Sequence, residues 1–406
     1  MSERVSPTAR VASTLSSRDA AAFVHAGPSR DPAVRYCLRA IDSSESAPAA
    51  DSFENDPTTG SFDTTHAVAF DGTQWHHVSW RGVPEDWPRH PADELATRLA
   101  DDGVSGPVLA PATIPHDAAL YLEQTGFTLA SSDILTRSRR SKTDLEHELI
   151  EQAQQATAAG VKRAATVLAE SDSDDEGALL AGETRLTDEQ LRIAVDEAIV
   201  AAGSLPDGRT RVTGGMRNDA LETSDNGTGR GDDRVRASTD SAGVSDGLLR
   251  AGEPITVVAS PRGREGYHGG LVRTFVVDGD GGDSRRAHVA LTQAFRSVRS
   301  MLTDATHSIT AVEAELEAEI RAYGFGEADA IETRVTGVGL EPREAPAAAD
   351  SDVGPETVVR IEATVRVGDG RSVRIADLLA PGRPAQWLAT PSRSLEPAAY
   401  ADAEPQ

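Results

Sequence analysis

Cysteine is almost absent from this 406-residue chain, in which Cys37 is the only one. A single thiol cannot form a disulfide within the chain, and it cannot supply the several sulfur ligands of a structural zinc site. The sequence therefore predicts neither a disulfide framework nor a cysteine-based zinc site. A chain of this length can bury two or three apolar cores and does not need such cross-links.

Long apolar runs are also missing. No stretch approaches the roughly 20 apolar residues of a membrane-spanning helix, and the first residues lack the uninterrupted apolar core of a signal peptide. We therefore expect a soluble, cytoplasmic protein that has no membrane partner.

Lysine is scarce, since only Lys142 and Lys162 carry an ammonium group. Acidic residues number 65 against 40 arginines and lysines, and the formal net charge is −25. Concentrated salt screens the self-repulsion of such a surface, so the composition predicts a halophilic source. A strongly acidic chain also repels polyanions, and we expect no nucleic-acid partner.

The order of apolar runs, turns and helix signals indicates an α/β (α+β) protein of two domains. A hairpin is predicted to turn at Asp71-Gly72, and Thr143 with Glu146 has the spacing of a capping box at the start of a long helix. The predicted organisation is a polar tail over 1–13, a small domain over 14–135, a hinge over 136–142, a larger domain over 143–395 and a tail over 396–406.

Two glycine-rich segments carry the most specific pattern in the chain. They read GYHGGLVRTFVV (Gly266 to Val277) and TRVTGVGLEPREAP (Thr333 to Pro346). Both closely resemble landmarks of the pita-bread peptidase family that includes Xaa-Pro aminopeptidase, prolidase, methionine aminopeptidase and creatinase. The resemblance implies a creatinase-type N-terminal α/β domain followed by a pita-bread domain.

In that family, five side chains bind a pair of divalent cations, and the resemblance implies where they fall here. Two aspartates, a histidine and two glutamates occupy these positions in active members. In this chain the matching residues are Ala259, Gly270, Thr336, Glu362 and Ala376. Only Glu362 retains a carboxylate, and one carboxylate cannot offset the dehydration of two cations. We therefore expect no metal and no other cofactor.

Two enzymatic readings remain as alternatives. One is a metal-dependent Xaa-Pro aminopeptidase or dipeptidase with an unconventional site made of Glu362, Asp377 and His268. The other is a metal-free amidinohydrolase like creatinase. Both need a substrate-contacting histidine on the loop before the metal strand, but no histidine occurs between His147 and His268. We expect His268 itself to be an exposed loop residue.

The sequence thus favours a catalytically degenerate relative of the Xaa-Pro aminopeptidases. In this reading the pita-bread cleft serves as a binding or regulatory surface for a peptide or a protein. Metal-free relatives of the family, among them a histone-chaperone subunit, use the fold in this way. Relatives often dimerise, so a homodimer is also expected.

Overall fold

The structure is a computed structural model that describes residues 6–42, 64–81, 90–214, 247–326, 330–349, 351–368 and 370–401. Its helices are α1 Pro7–Ser17, α2 Pro32–Asp42, α3 Pro91–Asp101, α4 His116–Gln124, α5 Ile134–Arg140, α6 Asp144–Ala169, α7 Asp188–Ala201, α8 Gly282–Met301 and α9 Ile309–Ala322. Its strands are β1 Ala22–Pro28, β2 Thr64–Phe70, β3 Trp75–Arg81, β4 Pro107–Ala110, β5 Thr128–Ser131, β6 Asp172–Ser173, β7 Leu179–Ala181, β8 Thr184–Arg185, β9 Arg211–Gly214, β10 Ile255–Ala259, β11 Leu271–Phe275, β12 His307–Ser308, β13 Ile331–Gly337, β14 Asp352–Val353, β15 Val359–Arg366, β16 Ser372–Ala380 and β17 Gln386–Trp387.

The chain forms two compact units. The N-terminal unit comprises Met1–Glu148, Arg264–Tyr267 and Gly337–Pro346, and the C-terminal unit comprises the remaining residues. Within the described ranges, no helix is long and apolar enough to cross a membrane. Residues 7–13 of the predicted tail belong to α1, and most of the predicted hinge lies in α5.

The N-terminal unit is built on a five-stranded sheet in the order β3-β2-β1-β4-β5. The predicted hairpin is formed by β2 and β3, which pair from Phe70 and Trp75 outward. Strands β1, β4 and β5 are parallel and are separated by helices, as expected of an α/β arrangement. Small and apolar side chains such as Val24, Ala67 and Leu95 fill the core of this unit.

Parts of both glycine-rich landmarks are held in the N-terminal unit by buried polar contacts. The Tyr267 hydroxyl donates a hydrogen bond to Glu146 over 2.9 Å, and the buried Lys142 ammonium is paired with Glu344. Arg139 also pairs with Glu344. Burial raises the pKa of the Glu344 carboxyl, but the two cations outweigh this effect and hold the pKa below its usual value.

The C-terminal unit is built on a sheet in the order β13-β15-β16-β11-β10-β9, with β17 added beside β16. Opposed residues of antiparallel strands project to the same face, and successive residues alternate between faces. Ile255, Leu271 and Phe275 therefore lie on one face, where they pack against α6 and α7. Ile361 and Ile375 pack against α8 and α9. We call this the helix-covered face.

The opposite face of the same strands carries polar side chains and is called the polar face. Its members on β10, β11, β15 and β16 include Thr256, Val258, Val272, Thr274, Arg360, Glu362, Thr364, Arg374 and Ala376. Of these, Val258, Thr364 and Arg374 are half-buried and reach solvent. The polar face is where the candidate site lies.

Candidate functional site

Three of the five predicted site residues come together on the polar face. Glu362 on β15 lies directly opposite Ala376 on β16, and Ala376 in turn lies opposite Val272 on β11. Gly270 precedes Val272 by two residues and therefore follows the same face. Sequence spacing alone could not give this register, which the pairing of distant strands determines.

The other two residues are placed differently. Ala259 lies opposite Leu271 on the helix-covered face and is fully buried in the apolar cluster there. Thr336 lies on β13, the strand beside β15. Its hydroxyl is buried and has no hydrogen-bond partner among the described residues.

The Glu362 carboxylate is held between two arginines. Arg374 donates to its Oε1 from Nε over 2.7 Å and also from Nη2. On the other side, the Arg360 Nε lies 3.2 Å from Oε2. The bonds from Arg374 are charge-assisted hydrogen bonds, which are stronger than neutral ones, and together with the nearby Arg360 charge they orient the carboxylate. Both oxygens of Glu362 are thus close to guanidinium groups.

The space beside Gly270 is also taken by an arginine. A Cβ atom at this position would lie 3.3 Å from the Arg360 Nη1 and 3.5 Å from the Ser260 Oγ. Arg360 donates from Nη1 to that hydroxyl over 3.0 Å. The Gly270 backbone N–H is fixed by the Gln154 side chain at 2.8 Å. A carboxylate in place of Gly270 would meet the Arg360 guanidinium at close range.

The family implies a pair of divalent cations, and the chemistry of the five positions does not fit them. Ala259, Gly270 and Ala376 offer no side-chain donor, and Thr336 offers only a neutral hydroxyl. Divalent cations are bound by several carboxylate, imidazole or thiolate donors, whereas Glu362 is already paired with guanidinium groups. Across the described residues, no group of three or more His, Cys, Asp and Glu side chains could hold a metal ion.

The structure does not assemble the unconventional set of Glu362, Asp377 and His268. Asp377 lies opposite Ile361 and therefore faces the helix-covered side, away from Glu362. It is fully buried between Arg273 at 2.6 Å and Arg393 at 2.5 Å.

His268 is buried, and the expectation of an exposed histidine was wrong. Its Nδ1 lies 3.4 Å from the Ser260 carbonyl oxygen. Removal from water disfavours the charged ring and lowers the pKa of His268 to about 4. This imidazole is neutral over the range in which a catalytic histidine would exchange protons.

Sequence reasoning missed the two arginines that dominate the polar face. The signal was present in the alternation of the strands, because Arg360 stands two residues before Glu362, and Arg374 stands two before Ala376. Residues two apart on a strand share a face. The strand pattern therefore puts a positive charge on either side of the one retained carboxylate.

Solved structures of peptidases share the fold of the whole chain. The Xaa-Pro dipeptidase from Bacillus anthracis is 14% identical, with a TM-score of 0.70, and the match covers 96% of this chain and 98% of that one. The prolidase from Pyrococcus horikoshii OT3 is 16% identical, with a TM-score of 0.66 and coverage of 96% and 99%. These structural matches establish the two-domain fold. Because the sequence identities are low, they establish nothing beyond the fold.

A solved structure that is not named as a peptidase has the same fold. The N-terminal domain of the FACT complex subunit SPT16 from chickpea (Cicer arietinum) is 15% identical, with a TM-score of 0.64, and the match covers 96% of this chain and 97% of that domain. No curated protein sequence matches the chain significantly.

The sequence model of metallopeptidase family M24 matches residues 148–380, more than half of the chain. This match overturns the prediction that no cofactor is involved: M24 prolidases depend on a pair of metal ions, and the prediction rested on five positions alone. The prediction of the pita-bread peptidase family and of its two-domain α/β fold is confirmed. The chain belongs to metallopeptidase family M24.

Proposed function

We propose that this M24 protein is catalytically degenerate as an X-Pro hydrolase and uses the polar face of its C-terminal unit to bind a peptide or a protein segment. The observation that carries the proposal is the pairing of Glu362 with Arg360 and Arg374. Of the five ligand positions, only this one has a carboxylate, and here it balances two guanidinium groups.

Amide hydrolysis needs an activated water molecule and a group that moves its proton. Glu362 is already paired with two guanidinium groups and is poorly placed to take up a proton from water. His268 is buried and has a pKa of about 4. Neither side chain is suited to shuttle a proton near neutral pH.

The polar face nevertheless has features that a bound chain could use. Val258, Thr364 and Arg374 are half-buried, and they offer apolar surface, a hydroxyl and a charged donor. The likeness to a domain of a FACT complex subunit supports a role in assembly, because the same fold occurs there in a protein named for its complex. A homodimer, a cytoplasmic location and a halophilic source stay predictions.

Incubation of the purified protein with X-Pro dipeptides and longer X-Pro peptides tests the proposal. Hydrolysis is measured with and without manganese, cobalt or zinc, with a prolidase as the positive control, and binding is measured by calorimetry on the same samples. We expect binding without product. Turnover that depends on the proline position would contradict the proposal.

A matched pair of substitutions locates the binding surface. Val258→Trp places an indole on the half-buried part of the polar face, whereas Val289→Trp places one on α8, where Val289 is 42% exposed. We expect the first variant to lose at least about 10-fold in peptide affinity because its ring blocks the face, and the second to bind as the wild type does. Equal affinities would place the site elsewhere.

A further inference from the structure

The polar face carries a local positive charge in a strongly acidic chain. Arg360, Arg374 and Glu362 together contribute one net positive charge, whereas the whole chain has a formal charge of −25. Contacts join Ser260 to Arg360, Arg360 to Glu362 and Glu362 to Arg374 in one continuous row. A row of this kind attracts an anion to a defined place on the face.

Two hydrogen-bond donors in this row have capacity left. Arg374 uses Nε and Nη2 for Glu362, and within the described part of the chain its Nη1 makes no hydrogen bond. The Arg374 side chain is 19% exposed, so a ligand can reach it. The Ser260 hydroxyl accepts a hydrogen bond from Arg360, and it donates none to any of the described residues.

We propose that Arg374, supported by Arg360 and Ser260, binds a carboxylate group of the bound peptide. This inference rests on the proposed function and gives its ligand a chemical class. A guanidinium group presents paired N–H donors that match the two oxygens of a carboxylate. Glu362 offsets one of the two positive charges, so the site suits a monoanion better than a dianion such as phosphate.

Glu362 has two opposed effects in this arrangement. It orients both guanidinium groups, but it also competes with the ligand for the Arg374 donors. Neutralising it by Glu362→Gln changes the local charge from one to two positive units while keeping the side-chain shape. The variant therefore binds a carboxylate more tightly, by about 10-fold at moderate salt.

The test uses small anions and paired peptides. Sodium acetate and sodium phosphate are titrated at constant ionic strength, with thermal shift and calorimetry as readouts. One peptide is offered with a free C-terminus and as its amide, and a C-amidated peptide is offered with an internal glutamate and with glutamine in its place. These pairs separate a C-terminal carboxylate from an acidic side chain.

Three variants accompany the wild type. Arg374→Gln removes the proposed donor, Glu362→Gln removes the competing charge, and Arg321→Gln is the control, because Arg321 is an exposed arginine paired with Glu317 on α9. Loss of acetate binding in the first, an approximately 10-fold gain in the second and no change in the third would support the proposal. If Arg374→Gln does not fold, the gain in Glu362→Gln decides alone.

The outcomes separate the two proposals. Peptides that bind equally well with and without a carboxylate would overturn the carboxylate site and leave the binding function standing. Acetate binding that needs Arg374, with no peptide binding at all, would overturn the binding function and support the carboxylate site. Tighter binding of phosphate than of acetate, or no anion binding in wild type and Glu362→Gln, would overturn the carboxylate assignment.

Discussion

The two faces of the large sheet each hold a carboxylate between two arginines, but they differ in access to water. On the helix-covered face, Asp377 is fully buried between Arg273 and Arg393. On the polar face, Glu362 lies between Arg360 and the 19% exposed Arg374. The same combination of charges therefore occurs in a closed and in an open form.

In the closed cluster, every donor nitrogen of Arg273 is used. Its Nε donates to the Ser392 carbonyl at 2.9 Å, and its Nη2 donates to Asp377 at 2.6 Å. Its Nη1 donates to the carbonyls of Val272 at 2.8 Å and Ala376 at 2.9 Å. A guanidinium group satisfied in this way fixes the chain around it and has nothing left for a ligand. In the open cluster the Arg374 side chain is 19% exposed, so a ligand can reach its remaining donors.

The largest expected effect is the loss of the closed cluster. Arg273→Met keeps most of the side-chain length but leaves Asp377 with one cation and strips several buried carbonyls of a donor. We expect a loss of about 3–5 kcal/mol in the free energy of unfolding. Urea unfolding at constant salt measures it.

The same substitution in the open cluster is the matched control. Arg374→Met should cost no more than about 1–2 kcal/mol, because water can reach the groups that lose their partner. Equal losses of unfolding free energy in Arg273→Met and Arg374→Met would show that the two faces do not differ in access to water.

Burial of His268 predicts a pH dependence of stability. Its pKa is about 4 in the folded protein, whereas an exposed histidine titrates near 6.5. Below about pH 6.5, His268 binds a proton in the unfolded chain but stays neutral in the folded chain. Stability therefore falls as the pH drops from about 6.5 to about 4. Over this pH range the free energy of unfolding falls by about 3 kcal/mol.

His268→Gln should flatten this part of the stability curve, whereas the exposed His116→Gln should leave it unchanged. Thermal unfolding from pH 4 to pH 7 measures both. An unchanged slope in His268→Gln would mean that other groups cause the dependence and that water reaches the His268 ring.

Gly269 lies in close contact with α6. A Cβ atom there would lie 2.6 Å from the Ala153 carbonyl oxygen of α6, so Gly269→Ala should force the segment before β11 away from this helix and cost about 1–3 kcal/mol. Gly326→Ala is the control, because nothing lies within 4 Å of the added atom. Equal stability of the two variants would show that the hairpin is loosely held, and that the donors of the polar face are not preorganised.

The sequence predicted the fold well because local signals agreed with one another. Asp71-Gly72 turns the hairpin, and the capping box of Thr143 and Glu146 starts α6, with the expected contacts at 2.8 and 3.2 Å.

The candidate site was less predictable, because it depends on pairings between distant strands. The opposition of Glu362 to Ala376, and the position of Arg360 beside Gly270, follow from strand register. Strand alternation puts Arg360 and Arg374 on the same faces as Glu362 and Ala376, but which of these residues meet depends on the register of β15 and β16. Whether His268 is exposed depends on what packs over the loop, which the spacing of residues does not reveal.

The role of Glu362 is decided by the affinity of one X-Pro peptide with a free carboxylate, measured by calorimetry for the wild type and for Glu362→Gln. We expect the variant to bind the peptide about 10-fold more tightly, because a competing carboxylate is removed, and we expect neither protein to form product. Weaker binding by the variant, together with turnover in the wild type that the substitution abolishes, would show instead that Glu362 serves catalysis.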